Sequence, residues 1–163
     1  MKRSKKIIFA CHCLLNQNAR ARGVAKRSGV VKEFVDYCTA RGYGIVPIDC
    51  PQLQFEPLRR PPATREHYDT RRVRTVCRTV ADATLRQARM YRRAGYRVYG
   101  IFGVEGSPTC GAIRTHVTSP DGRSTNVNGS GIFFDELKTV MKKFHQSIPV
   151  FDWDIQAKKP IGR

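Results

Sequence analysis

The chemistry of this 163-residue chain is concentrated in its six cysteines, Cys11, Cys13, Cys38, Cys50, Cys77 and Cys110. They lie far apart in sequence, so spacing alone announces no metal site. Their neighbours are more telling. Cys50 is followed by Pro51, and Cys110 sits in Ser107-Pro108-Thr109-Cys110-Gly111, where proline and glycine set a tight backbone rather than fill a core. Three thiolates are too few for a closed tetrahedral zinc site, but they suit a metal centre with one position left open, zinc or an iron–sulfur cluster.

Thiols this remote meet only if the fold brings them together. Residues 7–11 form a continuous apolar run that reads as a buried strand. Val31, Phe34, Val35 and Cys38 then repeat at helical spacing up to Gly42, and residues 44–50 read as a second strand closed by Pro51. Four prolines, Pro51, Pro57, Pro61 and Pro62, predict extended loop over 51–70. A second helix is expected over 70–94, a third strand over 97–103, and a third helix capped by Ser130 and carried by Phe133, Leu137, Val140, Met141 and Phe144. Residues 149–155 read as a fourth strand, and only the turn at Pro120-Asp121-Gly122 is legible between 105 and 131. This alternation predicts one α/β domain over residues 1–163, an open, doubly wound, mostly parallel four-stranded sheet with three main helices. Ligands of such sheets bind beyond the carboxyl ends of the strands. Cys11, Cys13, Cys50 and Cys110 all fall on that edge, whereas Cys38 and Cys77 fall in helical stripes and read as core packing.

Lys and Arg number 30 against 13 Asp and Glu, a net charge of +17, which predicts a polyanionic partner or substrate. The second helix is especially basic, with Asp82 the single acid between Arg71 and Arg97. The apolar run after Lys5 and Lys6 is too short for a signal peptide, and no stretch approaches a membrane span, so a soluble cytoplasmic protein with reduced thiols is expected. The segment 126–131, with Asn128 and Ser130, resembles a phosphate cradle at a helix start and could equally be plain capping. With Arg60 and its neighbours it is expected to bind substrate.

Four segments, Cys13-Leu14-Leu15, Cys50-Pro51, Arg60-Pro61-Pro62-Ala63 and Ser107-Pro108-Thr109-Cys110-Gly111, resemble in order the S-x-C-L-L-G, C-P-E, R-P-P-A and S-P-S-C-G motifs of the thiouracil desulfidase (TudS) family. The resemblance runs from about residue 7 to residue 145. It implies a [4Fe-4S] cluster held by Cys13, Cys50 and Cys110, with one iron free to take a substrate's sulfur and no net redox change. Asn16 stands where the family has glycine, Gln52 where it has glutamate, and the loop after Cys13 lacks a further cysteine. Cys11 is left as a fourth ligand, a sulfur relay or a buried strand residue.

The implied reaction turns thiolated uracil, as base, nucleotide or tRNA residue, into its oxo form and sulfide. Soft iron binds thiocarbonyl sulfur, water attacks the ring carbon, and a base takes the water's proton. Glu105 is the first candidate base and Asp49 the second, each with an alternative as a capping or ion-paired carboxylate. Ser107 and Thr109 serve the cluster or the turn, and His12 and His116 read as solvated or internally satisfied. Two other classes compete. A zinc-dependent nucleobase hydrolase or deaminase would use the same cysteines, although H-x-E with P-C-x-x-C is missing, and a non-enzymatic RNA-binding module would hold them as structure.

Overall fold

The computed structural model describes residues 1–162. Strand β1 (Lys6–Cys11) is buried from Ile7 onward, as a strand with neighbours on both sides and helices on both faces must be. It is followed by a single turn, α1 (His12–Leu15), and by α2 (Lys32–Ala40), whose apolar spacing buries Phe34 and Cys38. Strand β2 (Gly44–Ile48) returns parallel to β1. After the proline-rich loop come another single turn, α3 (Arg65–Tyr68), and the long α4 (Arg71–Arg93). The Thr70 hydroxyl caps α4 by accepting from the Val73 N–H at 3.3 Å, and Val73, Cys77, Val80, Ala81, Thr84, Leu85 and Ala88 form its buried stripe. Strand β3 (Arg97–Val104) lies parallel to β1 on the side away from β2.

Because the chain moves from β1 to one side and then crosses back to the other, right-handed connections put α2 and α4 on opposite faces of the sheet. A hairpin, β4 (Arg114–Thr118) and β5 (Ser124–Asn128), precedes α5 (Ile132–Lys143), which packs beside α4. Strands β6 (Val150–Asp154) and β7 (Lys159–Gly162) complete the order β2-β1-β3-β6-β7, parallel except for β7. The direction of winding reverses between β1 and β3, so the crevice of a doubly wound sheet opens there.

The fold is therefore mixed α/β with a mostly parallel sheet, as expected, but the sheet has five strands rather than four. The extra strand, β7, is only four residues long and contains Pro160, which an edge strand tolerates. The stretch without legible periodicity holds the β4–β5 hairpin, whose residues are mostly polar because both strands are largely solvated. The three expected helices correspond to α2, α4 and α5, and α1 and α3 add one turn each.

Ser130 does not cap α5. Gly131 occupies the cap, and the Ser130 hydroxyl donates instead to Asp135 Oδ1 at 2.5 Å. Among the described residues, no helix is long and apolar enough to cross a membrane.

On the α2 face the aromatic rings of Phe34, Tyr37, Phe102 and Trp153 interlock, with Phe34 5.4 Å from Phe102 and 5.3 Å from Trp153. On the other face the buried Glu136 of α5 accepts from Arg74 at 3.0 Å and Arg78 at 2.8 Å, so part of the basic face of α4 is spent inside the molecule. Phe34→Ala removes a fully buried ring and should cost about 3–5 kcal/mol, measured as a lower urea midpoint at unchanged slope.

Candidate functional site

The edge formed by the carboxyl ends of β1, β2 and β3 carries four of the six thiols. Cys11 is the last residue of β1, Cys13 lies in the turn of α1, Cys50 follows β2, and Cys110 sits in the loop after β3. That loop is held from beneath. Asp152, fully buried in β6, accepts from the Ala112 N–H at 2.6 Å and from the Ile113 and Arg114 N–H groups at 2.9 Å. The Ser107 hydroxyl accepts from the Cys110 N–H at 2.9 Å, and the Cys110 carbonyl accepts from the Val104 N–H at 2.9 Å. Position 103 has no room for a side chain, since a Cβ on Gly103 would lie 2.2 Å from the Cys110 carbonyl oxygen.

The start of α5 completes the clamp. The amides of Gly129, Gly131, Ile132 and Phe133 donate to the carbonyls of Ile113, Gly111, Pro108 and Thr109. Within the segment 126–131, expected as a phosphate cradle or plain capping, the Gly129 and Gly131 N–H groups are thus engaged by the cysteine loop. Asn128 is exposed at the end of β5 and Ser130 is bonded to Asp135, and neither lines the cleft described below.

The four thiols lie close enough to influence one another in every pairing, most strongly Cys13 with Cys50 and Cys110 with Cys11. The neighbouring Cys13 thiol, together with the Leu53 and Gln52 N–H groups and the Arg60 charge, outweighs burial and holds Cys50 well below the ordinary thiol range. Cys13, beside Cys50 and buried, is pushed well up. Cys110 is raised by its Cys11 neighbour and by burial. Cys11 is drawn down by the bond from Cys110, but burial and the charges of Cys13, Asp152 and Cys50 leave it raised. Outside the group, burial raises Cys38 to about 11 and raises Cys77 further. Among the described residues, no three His, Cys, Asp or Glu side chains are set to hold a metal ion as they stand.

Cys13 opens onto a cleft of about 490 Å³. One wall carries Arg60, which is 2% exposed and donates to the Ala19 carbonyl at 2.8 Å and to Gln52 Oε1 at 2.6 Å. Gln52 Nε2 in turn donates to Thr109 Oγ1 at 2.9 Å, so an Arg60–Gln52–Thr109 chain ties the loop after β2 to the loop after β3. The opposite wall carries Glu105, whose Oε1 accepts from Asn126 Nδ2 at 2.5 Å and lies 3.8 Å from Arg114 Nε. Ser107 lines the cleft as well, whereas Asp49 is exposed and lies outside it.

Three lining residues were given other roles or none by the sequence reading. Arg20, assigned no role, reaches the cleft near Cys13 and Cys110, pairs with no carboxylate among the described residues, and has its pKa lowered by desolvation. His116, read as solvated or internally satisfied, and Asn126, read as the start of a cradle, are delivered to the cleft by the β4–β5 hairpin. No local pattern marks any of the three as cleft residues.

The molecule is thus an α/β protein with four thiols gathered at the switch point of its sheet, beside a mixed polar cleft. No family model matches the chain. An uncharacterized protein of Methanocaldococcus jannaschii is 30% identical to it over 108 residues, covering 66% of this chain and 69% of that one, and the chain belongs to the family of that protein. Among solved structures, a [4Fe-4S]-dependent thiouracil desulfidase, TudS, superimposes with a TM-score of 0.53 at 21% identity, covering 90% of each chain. The two proteins share a fold.

Two outcomes follow from this arrangement. Asp152→Asn, which turns a donor toward backbone N–H groups, should cost about 1–3 kcal/mol and speed amide exchange at residues 112–114. In metal-free protein, ultraviolet thiolate absorbance should rise with pH well before the ordinary thiol midpoint of about 8.5. That early step should vanish in Cys50→Ser and move upward in Cys13→Ala, which loses the donor.

Proposed function

We propose that this protein is a [4Fe-4S]-dependent, non-redox desulfidase that converts a thiolated uracil, as base or nucleotide, into its oxo form. The observation that carries this reading is the placement of Cys13, Cys50 and Cys110 after the carboxyl ends of the adjacent strands β1, β2 and β3, with Cys13 lining a cleft. The fold shared with a desulfidase supports it.

The donor set suits the cluster. Thiolates are the ordinary ligands of iron–sulfur centres, and this group has Arg20 and Arg60 beside it to offset their charge and backbone N–H groups directed at Cys50. Cys13, Cys50 and Cys110 would hold the cluster, which when bound supplies a Lewis-acidic iron for soft sulfur. The chain's own residues do the rest. Arg20 offers an unpaired cation to an anionic or carbonyl group of the substrate, the Arg60–Gln52–Thr109 chain fixes the two cysteine loops, and Glu105 and His116 are groups on the cleft wall able to accept a proton. The cleft volume falls in the range of small-molecule sites, roughly 300–1,000 Å³.

Anaerobic purification should give iron and sulfide in equal amounts, about four each per chain, with sulfide released from thiouracil or thio-UMP. Cys13→Ser, Cys50→Ser and Cys110→Ser should each lose iron and activity together, while Cys38→Ala and Cys77→Ala keep both. Full activity in iron-free protein, or stoichiometric zinc in its place, would refute the reading.

A further inference from the structure

We infer that His116 is the catalytic proton acceptor of this site, taking the proton of the attacking water on Nε2; the inference rests on the desulfidase reading above. A hydrolytic exchange of sulfur for oxygen needs a base within the cleft, and the structure withdraws most of the obvious ones. Gln52 carries an amide, which takes no proton, and both ends of that amide are engaged, by Arg60 and by Thr109. Asp49 is exposed and away from the cleft. Asp154 Oδ1 caps its own turn, accepting from the Gln156 and Ala157 N–H groups at 2.9 and 2.8 Å. Glu105 has Oε1 taken by Asn126 and 3.8 Å from Arg114 Nε, which leaves Oε2 as the competing acceptor that the Glu105→Gln variant tests.

His116 is built differently. Its Nδ1 lies 2.6 Å from the Gly106 carbonyl oxygen, which can only accept, so the neutral ring carries its hydrogen on Nδ1 and its lone pair on Nε2. Nε2 has no protein partner among the described residues and is not among the buried, unpartnered polar atoms, and the residue lines the cleft. The ring reaches this position because residue 106 is glycine. Gly106 has φ +77°, and a Cβ there would stand 2.8 Å from Cε1 and 2.9 Å from Nδ1 of the imidazole. A backbone acceptor that sets the tautomer and leaves the other nitrogen free toward a cavity is the arrangement a histidine base requires. The charged groups sharing the cleft with it are Glu105 at the end of β3, Asp154 of β6, Arg60 from the proline-rich loop, and Arg20 and Lys26 from the loop after α1.

The step balances without an oxidant. The water oxygen bonds to the ring carbon as Nε2 takes one of its protons, and the π pair of the C=S bond moves onto sulfur. The O–H pair of the resulting hydroxyl then forms C=O as the C–S bond breaks. The hydroxyl proton and the imidazolium proton leave with sulfide as hydrogen sulfide, so thiocarbonyl plus water gives carbonyl plus hydrogen sulfide.

The test compares cluster-loaded wild type with His116→Ala, His116→Asn and Glu105→Gln, with His145→Asn as an exposed control. Both His116 variants should retain their iron and lose roughly 10²–10⁴-fold in kcat, with KM little changed. Added imidazole should restore activity to His116→Ala and should do nothing for Glu105→Gln, and the pH profile of kcat/KM should change in both His116 variants. In iron-free protein, nitrogen NMR should place the hydrogen on Nδ1 and show the Nε2 resonance moving when uracil is added. A His116→Ala enzyme with wild-type kcat and pH profile, or an Nε2–H tautomer, overturns the inference alone. A wild type with four irons and no sulfide release overturns it together with the reading on which it rests.

Discussion

One buried carboxylate organises the functional edge. Asp152 collects three successive backbone N–H groups, those of Ala112, Ile113 and Arg114, at 2.6–2.9 Å. A carboxylate with no solvent is costly unless hydrogen bonds replace its hydration. Burial here raises the Asp152 pKa, and the three N–H bonds work against that rise. They also bend the chain sharply after Cys110, which turns that thiol toward Cys11 and starts β4 in the direction that carries His116 back over Gly106. The edge that carries the thiols and the hairpin that carries His116 are therefore both set by one interaction of β6, the strand that also ends in the cleft residue Asp154.

The same loop is braced from two other directions. Amides at the start of α5 donate into it from one side, and Thr109 receives Gln52 from the other. Gln52 is in turn held by Arg60, whose guanidinium also bonds the Ala19 carbonyl beyond α1. Loops that follow three different strands are thus joined by side chains that are themselves buried or half-buried. Rigid support of this kind is what a site needs if its groups are to stay in register with a substrate.

Much of this was legible in the sequence where the signal is local. The buried run of β1, the start of α4 near Thr70 and its apolar stripe, and Pro51 and Gly111 flanking their cysteines all announced themselves, and the strand ends then located the four thiols on one edge. What stayed hidden depends on partners without side-chain signatures. Asp152 reads as an ordinary strand residue because its partners are backbone N–H groups about forty positions away. His116 gains meaning only from the Gly106 carbonyl and from a hairpin whose polar strands show little alternation, with Thr115 the one buried residue of β4. The role of segment 126–131 was open for the converse reason, since small residues before a helix look alike whether their amides face a ligand or, as at Gly129 and Gly131, a neighbouring loop. That Arg74 and Arg78 of α4 are engaged by an acid was not visible either, because Glu136 belongs to another helix.

The path of the cysteine loop leaves little freedom for change. At Gly103, Gly111 and Gly131 even one methyl group would press to 2.0–2.5 Å from backbone atoms of the loop or its supports. Drift among descendants of such a protein is closed at these three positions and open at the cleft lining, where Arg20, Gln52 and Asn126 meet whatever enters. New substrates would be acquired by repainting those walls while the frame behind them is inherited unaltered.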